Sequence, residues 1–336
     1  MKNRHWILEA RPKASIDESC FAWRESEIGR PAEGEVLIRN RWLSFDPTQR
    51  GWMTRDTYIS KIPLGSVMLA GGVGEIIESR HPHFESGDLV LGGVGWQDYV
   101  ITDGTDYIPI QKIPAGTPPN LALGIFGFTG LTGYFGTFEV GKPRAGETFV
   151  VSGAAGATGS VAGMIAKIQG CRVIGIAGGA RKCDWLIAQG FDGAIDYKNE
   201  NVADRLRALC PDGIDVYFDN VGGEILEAVL DQIAPRARIV LCGAISGYES
   251  EELPPGPRNY MNLVFRHGRM EGFLWMEYAK KVPEATQDLM RWHAEGKLVQ
   301  LEDVQHGLEN APKTLMRLFS GANMGKQLLK LDDADG

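Results

Sequence analysis

The sequence predicts an α/β protein of two domains, one β-rich and one built on a doubly wound parallel sheet. Three observations carry this. The chain has 336 residues, which at about 150 residues per domain gives two domains with ample length for a core in each. From about Thr148 onward apolar strand, turn and helix repeat in that order, the rhythm of a parallel sheet covered on both faces. From Gly34 to about Tyr107, by contrast, short β-type runs are separated by Gly, Pro and Asp.

In the β-rich part the runs are Glu35–Arg39, Gly74–Glu78 and Asp88–Leu91. In the alternating part, strand Thr148–Ser152 precedes helix Ser160–Gln169, strand Arg172–Ala177 precedes helix Arg181–Gln189, and strand Gly193–Asp196 precedes helix Asn201–Leu209. Strand Ile214–Phe218, helix Glu224–Ile233 and strand Arg238–Cys242 follow. Helices Pro283–Glu295 and Leu308–Ser320 and a strand at Lys326–Leu331 close the chain, so the parallel-sheet domain is inserted in, or appended to, the β-rich one. Leu253-Pro254-Pro255-Gly256-Pro257 reads as a stiff, extended loop.

Hydrophobic residues make up 43% and charged residues 23%, the composition of a folded globular chain. The net charge of −8 argues against nucleic acid or an anionic membrane as partner. Two uncharged stretches, Ile113–Phe138 and Thr148–Ala166, approach membrane-spanning length, but the first holds three prolines and six glycines and the second is broken by a Gly/Ala turn. The opening Met1–Glu9 shows no export signal. The five cysteines, Cys20, Cys171, Cys183, Cys210 and Cys242, are scattered and never form a C-x-x-C pair, which reads as reduced thiols in a cytoplasmic protein.

Strand Thr148–Ser152 runs into Gly153-Ala154-Ala155-Gly156-Ala157-Thr158-Gly159 and then a helix. In that context Gly156 lets the backbone approach a pyrophosphate, Gly159 lets helix and strand pack closely, and the N–H groups around Ala157 and Thr158 point at the anion. The pattern is A-x-G-x-x-G, with Ala154 in place of the first glycine of the usual fingerprint, and a purely structural tight turn is the competing reading. The next strand ends in Gly178-Gly179-Ala180-Arg181-Lys182. It lacks the acid that would bind a ribose 2′-hydroxyl and carries two cations, so NADP(H) is favoured over NAD. No set of Cys, His or carboxylates has the grouping that a catalytic or structural zinc needs, and His81-Pro82-His83 reads as a solvated pair.

Several linked motifs go further: Val151–Lys167, Gly190-Phe191-Asp192, Asp196-Tyr197-Lys198, Phe218–Gly223, Cys242–Ser246, Leu43–Pro47 with Arg50-Gly51, Gly95–Tyr99, Gly127–Gly136, Arg269–Phe273 and Gly321–Lys326. Together they resemble the zinc-independent medium-chain dehydrogenase/reductases, in particular the leukotriene B4 dehydrogenase, prostaglandin reductase and curcumin reductase branch, nearly end to end. The resemblance implies a GroES-like β-barrel catalytic domain from residues 1–124 and 299–336, with an inserted Rossmann NADP-binding domain at 125–298. It implies that Lys182 and Tyr197 hold the 2′-phosphate and ribose. Asn220 and Cys242, Gly243, Ala244, Ile245, Ser246 and Tyr248 would line the cofactor, and Phe273, Leu274, Trp275 and Asn323 would lie near the nicotinamide. Asn220 and Asn323 could equally be turn residues, and Phe273 core.

The activity so implied is NADPH-dependent reduction of the carbon–carbon double bond of an enone, with hydride delivered to the β-carbon. Tyr260 is the first candidate for the group that stabilises the enolate, and Tyr58, in a loop that covers substrate in related reductases, is the second; a structural tyrosine is the alternative for each. Trp52, Met53 and Trp96 are candidates for the apolar walls of a hydrophobic substrate site, although Trp96 fits barrel packing as well. The resemblance also suggests a homodimer. A quinone oxidoreductase of the same superfamily and a non-catalytic cofactor-binding protein are the competing functions.

Overall fold

The computed structural model describes residues 1–250 and 254–331, and its contacts divide the chain into two units. The first comprises Met1–Leu123, a short segment at residues 248–250, and residues 302–331. The second comprises Gly124–Gly247 and residues 254–301. The sequence boundaries at 124/125 and 298/299 therefore shift to 123/124 and 301/302, and residues 248–250 pass to the β-rich unit.

That unit is a seven-stranded mixed sheet with a two-stranded hairpin. Its organising element is the ten-residue strand Val36–Phe45, which pairs antiparallel with Gly71–Ser79, Tyr99–Thr102 and Lys326–Lys330. Register shifts at Leu37/Ile38 and Asn40/Trp42 bend the strand, as bulges do, so it can serve several neighbours. The N-terminal hairpin Lys2–Leu8 with Phe21–Glu27, unforeseen in the sequence, sets Trp6 opposite Trp23. Its strand is tied on where Trp6 N–H donates to the carbonyl of Trp96 at 2.9 Å. Trp96 has no exposed surface and packs between Phe21 and Phe45, each ring centroid 5.2 Å away.

The second unit carries six parallel strands in the spatial order 193–196, 172–177, 148–152, 214–219, 233–241, 269–272. This is the 3-2-1-4-5-6 order of the doubly wound dinucleotide-binding fold, whose ligand crevice lies at the carboxyl ends of the strands beside the switch point. The helix expected over Glu224–Ile233 is shorter, Gly223–Leu230, and Ile233 instead opens the strand Ile233–Leu241. An unbroken apolar run hid this boundary, because Leu230 and Ile233 both face the same core. The strand Arg269–Gly272 was also not foreseen as a strand. Leu308–Ser320 divides into a turn of 3₁₀ helix, Leu308–Asn310, and the helix Ala311–Ser320. In the proline loop, Pro254–Pro257 forms neither helix nor strand, and Leu253 lies outside the described residues. No described helix is long and apolar enough to cross a membrane.

At the start of the first parallel strand Glu147 takes both terminal nitrogens of Arg238, which also binds the carbonyls of Gly141 and Lys142. Burial pushes the Glu147 carboxyl up, but the bonds from Arg238 and from the Arg144 N–H outweigh it, and the group ends below its ordinary range. A carboxylate whose pKa is lower folded than unfolded adds stability above its unfolded pKa and loses it as pH falls through the folded one. Urea unfolding should therefore show wild type more stable than Glu147→Gln at neutral pH, with the gap narrowing below about pH 4.3.

Candidate cofactor cradle and substrate loop

The glycine turn is built from the chain outward. Gly153 follows the first parallel strand at φ +58°, a left-handed conformation that glycine adopts without penalty. A Cβ on Gly159 would lie 2.4 Å from the Gly153 carbonyl oxygen, so only glycine lets the helix approach this turn. Gly156 caps the helix Ala157–Ile168 without a side-chain hydrogen bond, and no acid stands in the first turn. The N–H groups of Ala157, Thr158 and Gly159 thus open onto the turn with the positive end of the helix dipole behind them. Ala154, in place of the fingerprint's first glycine, is fully buried, and its Cβ sits 2.9 Å from where a Cβ on Gly175 would be. The departure from the fingerprint is thus a packing exchange between two strands.

At the end of the second strand Gly179 adopts φ +95° and leads into the helix Ala180–Ala188, which also has no acid in its first turn. The half-buried Lys182 stands in that turn, and the ring of Tyr197 lies over Gly178, where a Cβ would come within 2.9 Å of it. Asp196, of the motif Asp196-Tyr197-Lys198, has a role that its sequence context did not reveal. Its Oδ1 accepts from the N–H of Gly179 at 2.7 Å and of Lys198 at 3.1 Å, and its Oδ2 from Asn199 Nδ2 at 2.7 Å. It thereby shapes the turn at the end of the second strand.

The fourth strand ends in a second unforeseen hub. Asp219 is 1% exposed, and its Oδ1 accepts from Tyr217 OH at 2.8 Å, Ser152 Oγ at 3.0 Å and the N–H groups of Val221 and Gly222 at 2.9 Å each. Its carbonyl accepts from Cys242 and Gly243 N–H. Burial pushes the carboxyl up against the pull of these donors. Asn220 donates from Nδ2 to the Ser152 carbonyl at 2.7 Å, so it is first a turn residue joining two strand ends. The N–H groups of Ile245 and Ser246 bond the carbonyls of Asn220 and Val221, which fixes the loop through Ala244. The Cys242 thiol is pushed up to about 12, by burial and then by the Asp219 charge, and so stays protonated. Phe273 meets Phe218 edge-on at 6.4 Å and covers Gly136, where a Cβ would lie 2.5 Å from its ring. Leu274 is half-buried beside it, and Trp275 stacks on Phe128 at 5.6 Å.

Tyr260 belongs to this second unit. It is 56% exposed, forms no side-chain hydrogen bond among the described residues, and adjoins the exposed Met261, Val264 and Phe265. Its segment is clamped to the helix Gly223–Leu230 through Asn259, whose Nδ2 donates to the Glu227 carbonyl at 2.8 Å.

The other expected residues fall in the first unit, of which only Tyr248 was expected in the second. Tyr248 lies in the short segment assigned there, and Asn323 forms a turn by donating to the Gly325 carbonyl at 3.1 Å. Tyr58 is half-exposed on a loop; its phenol is pushed up by burial, against a hydrogen bond with the Thr48 hydroxyl, and so stays protonated and able to donate. Trp52 packs edge-on against Tyr58 at 6.2 Å and Tyr107 at 5.8 Å. Met53 and Trp96 are wholly enclosed in the barrel core, which corrects their placement as substrate walls: with no surface to offer, they pack the core under the loop. An ion pair between the buried Lys326 and the partly exposed Asp46 joins the Leu43–Pro47 and Gly321–Lys326 motifs, with Lys326 Nζ donating to Asp46 Oδ1 at 2.5 Å and Ser44 Oγ to Asp46 Oδ2 at 2.5 Å. No group of three or more His, Cys, Asp or Glu that could hold a metal occurs among the described residues.

Comparison with known proteins agrees with this division. Residues 4–110 match the family described as the N-terminal domain of oxidoreductase, and residues 157–295 match that described as zinc-binding dehydrogenase. The NADPH-dependent curcumin reductase of Escherichia coli (strain K12) is 39% identical over 99% of this chain and 98% of its own length. The 2-alkenal reductase (NADP(+)-dependent) of Nicotiana tabacum is 41% identical over 88% of this chain and 87% of its own. The crystal structure of CurA from Vibrio vulnificus in complex with NADPH superposes with a TM-score of 0.93 at 39% identity, over 98% of this chain and 99% of that one. The chain belongs to the medium-chain dehydrogenase/reductase family, with a GroES-like unit and a Rossmann unit, in the branch that holds the curcumin, prostaglandin and 2-alkenal reductases.

Proposed function

We propose that this protein is an NADPH-dependent oxidoreductase that reduces the carbon–carbon double bond of α,β-unsaturated ketones and aldehydes. The observation that carries the reading is a cradle of backbone donors at the starts of two helices with no acid in the first turn of either, in a chain about 40% identical to a curcumin reductase and a 2-alkenal reductase that use NADP(H).

The donor set fits the cofactor. The N–H groups of Ala157, Thr158 and Gly159 would receive the pyrophosphate, Lys182 and Tyr197 the 2′-phosphate and ribose, and Phe273–Trp275 with the loop Cys242–Ser246 the nicotinamide end. NADPH, when bound, supplies a hydride to the β-carbon of the enone. The protein's part is to orient the substrate and to stabilise the negative charge that develops on the enone oxygen. A neutral phenol does this by donating a hydrogen bond, and losing one such donor typically costs about 10²–10³ in rate. Tyr58 and Tyr260, both exposed, are the candidates. The proton completing the product goes to the α-carbon.

The protein acts as a cytoplasmic homodimer in this reading. All five cysteines are free, as a reducing compartment leaves them. The parallel sheet ends in the strand Arg269–Gly272, with exposed Met261, Val264 and Phe265 close by in sequence, the features of a sheet edge open to pairing. Steady-state assays with NADPH and either 3-nonen-2-one or a benzoquinone test the assignment: turnover of the enone is expected, and turnover of the quinone alone would overturn it in favour of a quinone oxidoreductase.

A further inference from the structure

Two arginines of the β-rich unit are tied to backbone rather than to carboxylates, and each holds the other's segment. Arg11 donates from Nη1 to the Met53 carbonyl and from Nη2 to the Ile62 carbonyl at 3.0 Å. Arg50, 1% exposed, reaches the opposite way: Nη2 donates to the carbonyls of Ala14 at 2.8 Å and Pro12 at 3.4 Å, and Nη1 to Thr54 Oγ1 at 3.2 Å. No carboxylate is among these partners. Ile62 N–H also donates to the Trp52 carbonyl at 2.8 Å. The chain between Met53 and Ile62 therefore leaves and returns through one point, bridged by a single guanidinium.

Base and tip of this loop differ in kind. Trp52, Met53 and Ile62 are buried, whereas Asp56, Thr57, Tyr58, Ser60 and Lys61 are exposed. Inside the tip the backbone bonds are local, among them Thr57 N–H to the Ile59 carbonyl at 2.8 Å and Lys61 N–H to Asp56 Oδ1 at 2.9 Å, while the Tyr58 ring reaches back to Trp52 and the Thr48 hydroxyl at the base. Bonds this local and solvent-exposed give little protection against opening by themselves. The planar fork of Arg11 spans two carbonyls at once, which a lysine ammonium on its flexible stem does not reproduce.

We propose that Arg11 and Arg50 form a reciprocal clasp that sets the position of the Tyr58 loop and thereby favours binding of the enone. They are positioning residues: neither touches substrate, and they act through the carbonyls at the ends of the loop. The enone-binding half rests on the reading that Tyr58 faces the enone; the clasp itself does not. By fixing the loop before the substrate arrives, the clasp removes an ordering cost from enone binding and leaves the cofactor's binding alone.

Limited trypsin digestion of the full-length protein reads the clasp directly, because Arg55 and Lys61 place cleavage sites inside the loop. In Arg11→Ala, cleavage after these residues should accelerate about tenfold or more, and KM for 3-nonen-2-one should rise about tenfold while KM for NADPH stays within about twofold. Millimolar guanidinium ion should reverse both changes, which a general loss of structure would not allow. If Arg11→Ala does not fold, Arg11→Lys, which keeps the charge but cannot bridge both carbonyls, should show the same changes in smaller measure. Unchanged cleavage overturns the clasp, whatever the protein reduces. Faster cleavage with an unchanged enone KM, or with equal rises in both KM values, overturns its role in enone binding. A wild-type protein that reduces no enone would overturn the proposed function and leave the cleavage result standing.

Discussion

Gly159→Ala should abolish useful cofactor binding, with NADPH affinity falling about a hundredfold in a fluorescence titration. A Cβ at this position would lie 2.4 Å from the oxygen and 2.9 Å from the carbon of the Gly153 carbonyl, atoms of the backbone that no rotamer change can move aside. The helix Ala157–Ile168 must then retreat from the turn. Overpacking of this kind costs about 1–3 kcal/mol in stability, but the larger loss comes from displacing the N–H groups that receive the pyrophosphate. A neighbouring glycine makes the control: a Cβ on Gly156 meets the same oxygen at 3.0 Å, so Gly156→Ala should do less. An NADPH affinity unchanged in Gly159→Ala would remove this turn from the cofactor site.

Lys182→Ala should raise KM for NADPH by about 10–100-fold, the worth of roughly 1.5–3 kcal/mol for a hydrogen bond to a charged group. KM for NADH, which lacks the 2′-phosphate, should barely move. The asymmetry follows from the two nucleotides, because only NADPH carries the 2′-phosphate, and Lys182 stands in the first turn of the helix Ala180–Ala188, where no acid lies. Equal effects on the two nucleotides would place Lys182 outside the site.

The alternation of strand and helix from Thr148 onward was legible because these strands end on glycine or polar turns, but the spatial order of the strands was not, and the sixth, Arg269–Gly272, was missed. The glycine turn itself was readable for the same local reason. Boundaries were lost where one apolar run serves two elements, as at Leu230 and Ile233. The hubs were not legible, because their partners are far apart in sequence. Asp219 draws on Ser152, and Asp46 on Lys326. Nothing local to Asp219 says that it would gather donors from two strand ends, and nothing near Lys326 says that its charge would be buried. Asn220 was expected at the cofactor on the family resemblance, with a turn residue beside glycine as the alternative, and its side-chain amide donates to the Ser152 carbonyl. Trp96 and Met53 mislead for a different reason: large apolar residues suit a substrate wall and a barrel core alike, and only their lack of exposed surface decides between the two.

The account stands most directly on where the hydride goes. NADPH carrying deuterium at the transferred C4 position, incubated with the protein and 3-nonen-2-one, should give the saturated ketone with one deuterium on the carbon β to the carbonyl, read by proton NMR and mass. An allylic alcohol with deuterium on the former carbonyl carbon would contradict it, since that product requires a site that polarises the carbonyl rather than one that stabilises an enolate.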